Sequence, residues 1–258
     1  METGAITGYI DVAQIALYVF WVFFAGLIYY LHQENKREGY PLESERSAHV
    51  RVQGWPPIPS PKTFRLQHGG SSTAPNEQSS PQQHLAAEPT GPWLGAPLRP
   101  TGRHPMLDGV GPGAYAHRAD VADKTFEGRT KIVPLRVAPD FDVSAKDPDP
   151  RGMRVVGADG VVGGTVHDLW VDRSEVLFRY LEVAVPNAAR GPHVLLPMNF
   201  TRIKNGRVVV KSILGSQFAD VPRHRNPDQV TLLEEEKIMA YYGAGTLYAT
   251  ADRQEPLV

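Results

Sequence analysis

The run VAQIALYVFWVFFAGLIYYL, from Val12 to Leu31, decides how the rest of the chain is read. About twenty residues pass without a formal charge or a proline, and a helix of that length, rising about 1.5 Å per residue, spans about 30 Å, the hydrocarbon thickness of a bilayer. Inside lipid the backbone N–H and C=O groups must be satisfied within the segment, so a lone spanning stretch has to be helical. A cleaved secretory signal would carry Lys or Arg ahead of a shorter apolar core. Here Glu2 and Asp11 precede the span, and Lys36 and Arg37 follow it. A buried helix of a soluble domain is shorter and keeps a polar face, which this stretch lacks. The reading is a single transmembrane helix over 12–31, extending to about residue 38.

The flanks also orient it. Lys and Arg close to a span are retained on the cytoplasmic side, and residues 1–11 contain neither. The N-terminus is expected outside, periplasmic in a bacterium, with everything from about residue 32 in the cytoplasm. Tyr29 and Tyr30 fall where an interfacial aromatic belt is expected, and Lys36 and Arg37 either meet anionic headgroups or stand as solvated flanking charges. Gly39 and Pro41 should end the helix. Trp21 lies near the middle of the span, away from the belts, and Ala25-Gly26 offers a small-residue surface that another helix could approach closely. Trp21 or the Ala25-Gly26 side is therefore expected to contact a neighbouring subunit.

The 258 residues carry 27 basic and 28 acidic side chains, a balance that gives no hint of a nucleic-acid surface. Cysteine is absent, which removes disulfides, thiolate metal sites and cysteine nucleophiles. Residues 39–107 are dense in Pro, Gly, Ser and Gln and too poor in apolar side chains to order themselves alone. They are expected to be irregular or laid across a partner, with disorder near 71–84 and one strand-like island, Lys62 to Leu66, that pairs with something.

Order rises over 108–225. Lys131 to Val137 reads as an edge strand interrupted by Pro134. Val155-Val156, Gly164 to Val171, Arg179 to Val185, His193 to Leu196, Phe200 to Lys204 and Arg207 to Val210 read as short strands, the last two joined by the hairpin signal Asn205-Gly206. Strands and tight turns without intervening helices predict a small antiparallel barrel or sandwich, with its core at about 150–212. In 226–258, Thr231 and Glu234 form a capping-box pattern opening a helix that should stop at Gly243 or Gly245. The triplet Glu234-Glu235-Glu236 suits the positive end of that helix. The fold class is thus one N-terminal transmembrane helix, a mainly-β cytoplasmic domain and a C-terminal helix.

No phosphate loop, metalloprotease helix, nucleophile elbow or dinucleotide fingerprint is present. The nine histidines lack metal-ligand spacing, and His167 and Asp168, neighbours on a strand, should face opposite ways. No cofactor or metal ligands are assigned. One cluster carries chemistry. Strand alternation puts Asp168, Trp170 and Asp172 on one face, with Glu175 in the following turn before Arg179. Such carboxylates beside an arginine form either a solvated ion-pair network or a proton relay, and the residues alone leave both open.

Several blocks, in order, resemble one family: Arg37-Glu-Gly-Tyr-Pro-Leu42, Pro61-Lys-Thr-Phe64, Gly109-Val-Gly-Pro112, Lys131-Ile-Val-Pro134, Asp168-Leu-Trp-Val-Asp172 and Val230-Thr-Leu-Leu-Glu-Glu235. With the single N-terminal span they resemble the H subunit of the purple-bacterial photosynthetic reaction centre over essentially the whole chain. The strand-rich part from about residue 150 resembles the small β-barrel named after that complex.

The resemblance implies an accessory, non-enzymatic subunit of the inner, intracytoplasmic photosynthetic membrane. It would cap the cytoplasmic face of the two pigment-binding subunits, stabilise the quinone region and help deliver protons to the reduced secondary quinone. Bacteriochlorophyll, bacteriopheophytin, quinones and a non-haem iron would sit on those partner subunits, with core antenna, a cytochrome subunit and membrane lipids as further neighbours. By position, Glu175 matches the family's buried acid nearest the quinone, and Asp172 and Arg179 its neighbours on the pathway, with Asp168 beside them. The histidine pair that some members place before the KIxP block is missing from Thr125 to Thr130, leaving Glu127, His117 or another surface group for entry, and Gln229 replaces an acid. The alternative reading is a membrane-tethered barrel adaptor recruiting soluble partners, unrelated to photosynthesis. A membrane-anchored hydrolase lacks any nucleophile–base pair.

Overall fold

The computed structural model describes residues 7, 11–44, 47–67, 69–76, 85–93, 96–186 and 193–254, with backbone alone over 43–44 and 47–51. Two compact units divide the chain, residues 1–83 and 84–258.

In the first unit, helix α1 runs Val12–Glu34, its first turn capped by Asp11, whose Oδ1 accepts a hydrogen bond from the Gln14 N–H at 2.7 Å. It buries none of its residues within the chain, and its length and composition suffice to cross a membrane. A 3-10 turn, Asn35–Arg37, follows, and Gly39 takes a left-handed φ of +77° that lets the chain leave the helix. Beyond it come two hairpins, β1 (Leu42–Ser44) with β2 (Ser47–Val52), and β3 (Lys62–Arg65) with β4 (Ser71–Ala74). The island at Lys62 thus has its partner in Ser71–Ala74, part of the stretch expected to be disordered. The Thr63 and Thr73 hydroxyls, 3.0 Å apart on one face of the ladder, show how polar residues can still pair as strands. Residues 77–84, the rest of that expectation, lie outside the described residues.

In the second unit, β5 (Ala87–Pro89) and β6 (Leu98–Pro100) form a short hairpin. One seven-stranded sheet then carries the core. Its members are β7 (Ile132–Pro134), β8 (Arg154–Val156), β9 (Val162–Asp172), β10 (Leu177–Ala184), β11 (His193–Pro197), β12 (Thr201–Lys204) and β13 (Arg207–Val210). The order is β11-β10-β9-β8-β13-β12, with β7 on β9.

The long central strand β9 pairs with β10 along one edge and with β8 and then β7 along the other. Leu169, Trp170 and Val171 are all buried, so both faces of β9 are covered there. Lys131 to Val137 is strand only to Pro134, after which Leu135–Val137 forms a 3-10 turn. The mainly-β reading holds, with two refinements. The described ladder does not close into a barrel, and β13 pairs parallel to β8. Asn205 and Gly206, with φ of +52° and +68°, make the tight turn between β12 and β13 as the sequence predicts.

Helix α2 (Leu232–Tyr248) opens with the predicted capping box: Thr231 Oγ1 accepts from the Glu234 N–H, and Glu234 Oε2 accepts from the Thr231 N–H at 2.9 Å. It does not stop at Gly243 or Gly245. A Cβ at Gly243 would lie 2.7 Å from the Pro112 carbonyl oxygen, and one at Gly245 would lie 2.5 Å from that of Ser212. These glycines let neighbouring backbone approach the helix, so they signal close packing where the sequence suggested a terminus.

Candidate functional site

The turn after β9 is built around Asp172. Its side chain is fully buried, and Oδ1 accepts hydrogen bonds from the N–H groups of Ser174 at 2.9 Å and Glu175 at 3.0 Å. This Asx-type arrangement explains why Asp-Arg-Ser-Glu folds as a turn. Oδ2 accepts no hydrogen bond among the described residues and faces Lys131 Nζ at 3.6 Å. Ile132 pairs with Asp172 across the β7–β9 ladder, which brings Lys131 to this place. The same ammonium is 3.6 Å from Glu175 Oε1 and 3.7 Å from Asp123 Oδ2. Glu175 is half exposed. One lysine thus bridges a carboxylate inside the protein and two that reach its surface.

Arg179 is positioned by a bulge. Phe178 pairs with Val171 and Tyr180 with Trp170, which leaves Arg179 as the extra residue of β10. It lines a cleft of about 550 Å³ with Arg118, Tyr180, Glu235, Glu236 and Met239. The Tyr180 hydroxyl donates to Glu235 Oε2 at 2.7 Å. Burial pushes the Glu235 carboxyl up, more than the Tyr180 hydrogen bond and the Arg179 charge bring it down. Among the described residues no ion pair joins Arg179 to Asp172 or Glu175. Glu235, which the sequence assigned only to the helix dipole, belongs instead to this cleft.

Asp168 belongs to another group. Its Oδ2 is 3.2 Å from the Arg136 guanidinium, which also donates to Glu182 Oε2 at 2.7 Å and to Asp228 Oδ1 at 3.2 Å. Arg136 further donates to the Pro227 carbonyl. Trp170 Nε1 donates to Glu182 Oε2 at 2.9 Å, and His193 Nδ1 is 2.7 Å from Glu182 Oε1. Burial pushes the Glu182 carboxyl up, but the Arg136 and Trp170 hydrogen bonds outweigh it, and the net displacement is below the ordinary value. The side chains of Asp168, Trp170 and Asp172 are all buried as one cluster would require, yet Asp168 and Asp172 serve different cations.

His167 departs from the alternation reading. Glu182 pairs with Asp168 and Val183 with Val166, so His167 is the extra residue of a bulge in β9. A bulge re-aims a side chain, and His167 comes to the side of Glu182 and His193, its ring 4.4 Å from that of His193. Neither sequence spacing nor alternation carries this juxtaposition. Glu127 sits on the exposed turn between Lys124 and Thr130, and among the described residues no ion pair connects it to the Asp172 group.

A family model described as the photosynthetic reaction centre H-chain N-terminal region matches residues 4–137, just over half of the chain. The chain belongs to the reaction-centre H-chain family. The PRC-barrel domain model matches residues 142–217, which contain β8 to β13. As an H chain it is a non-catalytic, membrane-anchored subunit that associates with the other reaction-centre subunits.

At the foot of its membrane helix the H chain uses its flanking cations internally. Lys36 and Arg37 are buried, so the reading of solvated flanking charges is corrected. Lys36 Nζ donates to the carbonyls of Gln53 and Pro56, each at 2.8 Å. Arg37 donates to the carbonyls of Ser60 and Ala74 and to both oxygens of Glu34. Tyr30 accepts a hydrogen bond from Lys62 Nζ at 3.3 Å, and Lys62 also binds Glu34. The segment that follows the membrane helix is therefore pinned back onto its last turn. Trp21 packs edge-on against Phe20 and Phe24 and is otherwise exposed, and a Cβ added at Gly26 would meet nothing within 4 Å beyond its own helix backbone and chain neighbours.

Proposed function

We propose that this H chain caps the cytoplasmic face of the two pigment-binding subunits, stabilises the quinone region and helps pass protons to the reduced secondary quinone. In this reading α1 crosses the inner, intracytoplasmic photosynthetic membrane with the N-terminus periplasmic, and its uncovered Trp21 and Ala25-Gly26 side docks against a neighbouring helix. Pigments, quinones and non-haem iron stay on the partner subunits.

The observation that carries the proton role is the Asp172–Lys131–Glu175 group. Lys131 holds the half-exposed Glu175 and the buried Asp172 at one ammonium, each 3.6 Å away, so a proton accepted from solvent by Glu175 has a second carboxylate close by to pass to. Asp172 has an oxygen without a hydrogen bond, so it can accept a proton while its other oxygen still holds the turn. Arg179, four residues after this turn, lines a cleft with Glu235 that supplies a second pair of polar groups. Glu127 remains a candidate for entry from solvent, and Tyr30, Lys36 and Arg37 for the membrane interface.

Glu175→Gln in the intact complex is expected to slow the proton-coupled second reduction of the secondary quinone, measured after two flashes, while primary charge separation keeps its rate. Unchanged proton-uptake kinetics would remove Glu175 from the pathway.

A further inference from the structure

We propose that His167, Glu182 and His193 form a binding site for a divalent transition-metal ion of the zinc type. One ligand atom from each lies within 4.8 Å of the other two. The three residues come from adjacent strands β9, β10 and β11, and two separate features assemble them. His193 pairs with Ala184, one step along the same sheet face from Glu182, and the β9 bulge supplies His167.

Two imidazoles and one carboxylate are a donor set that suits zinc and its late first-row neighbours, and three protein ligands leave a fourth position open. Zinc–ligand distances of about 2.0–2.2 Å require His193 and Glu182 to separate slightly from their 2.7 Å contact, and His193 is partly exposed and able to do so. Glu182 is held from behind. Its Oε2 receives Arg136 and Trp170, which leaves Oε1 pointing at the histidines. Such fixed outer partners orient metal ligands.

Charge points the same way. Three carboxylates, those of Asp168, Glu182 and Asp228, contact the one guanidinium of Arg136. With both imidazoles neutral, as ligation requires, the three carboxylates still outnumber the guanidinium groups of Arg136 and of Arg223, which donates to the His193 carbonyl at 2.7 Å, so the surroundings favour a cation. A bound ion would tie three neighbouring strands together at the end of the sheet where β11 begins.

The proposal is independent of the proton role. The test uses the intact complex, stripped with a chelator, titrated with Zn²⁺ by calorimetry and examined by anomalous diffraction at the zinc edge. The expected result is a zinc peak bonded to His167, Glu182 and His193, with affinity falling about 10–100-fold or more in His167→Asn and in His193→Asn. Both side chains reach solvent, so the fold should survive, and retained pigment absorbance verifies assembly. His104→Asn, at an exposed position, should bind as the wild type does. Absence of zinc at these three residues, or equal affinity in the wild type and both variants, overturns the proposal.

Discussion

Replacing Arg136 by methionine is expected to cost about 3–5 kcal/mol of stability at neutral pH, the usual penalty for leaving buried charge without its partner. Methionine keeps much of the apolar stem but removes the guanidinium that Glu182 and Asp168 share. Both carboxylates are nearly inaccessible. The pH dependence should change sign. In the native chain Glu182 lies below the ordinary carboxylate range, so its contribution is present above that range and fades as pH falls through the native value. Without Arg136, burial is opposed only by the Trp170 hydrogen bond and His193, and the Glu182 carboxyl is expected to rise above its unfolded value. Stability then declines as pH rises through the interval between the two. Thermal unfolding of the detergent-solubilised full chain, followed by circular dichroism at several pH values, checks both the loss and the reversal. A variant as stable as the parent, with the parent's acid sensitivity, would show that the guanidinium is not what holds this group.

The second large effect is expected from Asp172→Asn combined with Glu175→Gln. The amide that replaces the Asp172 carboxylate keeps an oxygen for the N–H groups of residues 174 and 175, so the turn should persist. Two of the three acids around Lys131 lose the ability to exchange a proton, leaving only Asp123 on that lysine. Loss of positioned proton-transfer groups costs about 10²–10⁴-fold in the rates they support. The proton-coupled second electron transfer to the secondary quinone should slow by about 100-fold or more, beyond Glu175→Gln alone. Charge separation, which needs no proton from this chain, should not change. Equal rates in the double variant and the wild type would move the pathway elsewhere, with the Arg179–Glu235 cleft as the next place to probe.

Much of this architecture is legible in the chain because it rests on local rules. Val12 to Leu31 announces a membrane helix by length, Thr231 and Glu234 announce a cap, and Asn205-Gly206 announces a hairpin. The short runs of β-branched and aromatic residues from Val155 onward mark the sheet. What escaped depends on contacts between distant segments. Gly243 and Gly245 look like stop signals until Pro112 and Ser212 are found against them. Lys36 and Arg37 look like free flanking charges until the carbonyls of Gln53, Pro56, Ser60 and Ala74 close over them. The acidic motif reads as one cluster because alternation gives Asp168 and Asp172 a shared face but says nothing of their separation, four residues at about 3.3 Å each along the strand. Lys131 and Arg136 then divide it, each claiming the carboxylate its own segment brings near.

The two bulges have a joint consequence. His167 adds one residue to β9 and Arg179 adds one to β10, and the slips cancel, so that Thr165 with Ala184 and Asp172 with Leu177 share one register while Asp168 to Trp170 between them are offset by one. Along a strand a shift of one exchanges inside for outside. Deleting His167 alone, or Arg179 alone, should therefore turn the alternation at one end of the ladder inside out and prevent folding. Deleting both should restore an unbroken ladder that folds but has lost a histidine and an arginine. Recovery of folded chain in the double deletion, and not in either single one, is the expected pattern. The two residues are a compensated pair of frame changes written into the strand pairing, and the double deletion is the measurement that would show them dispensable together to the fold.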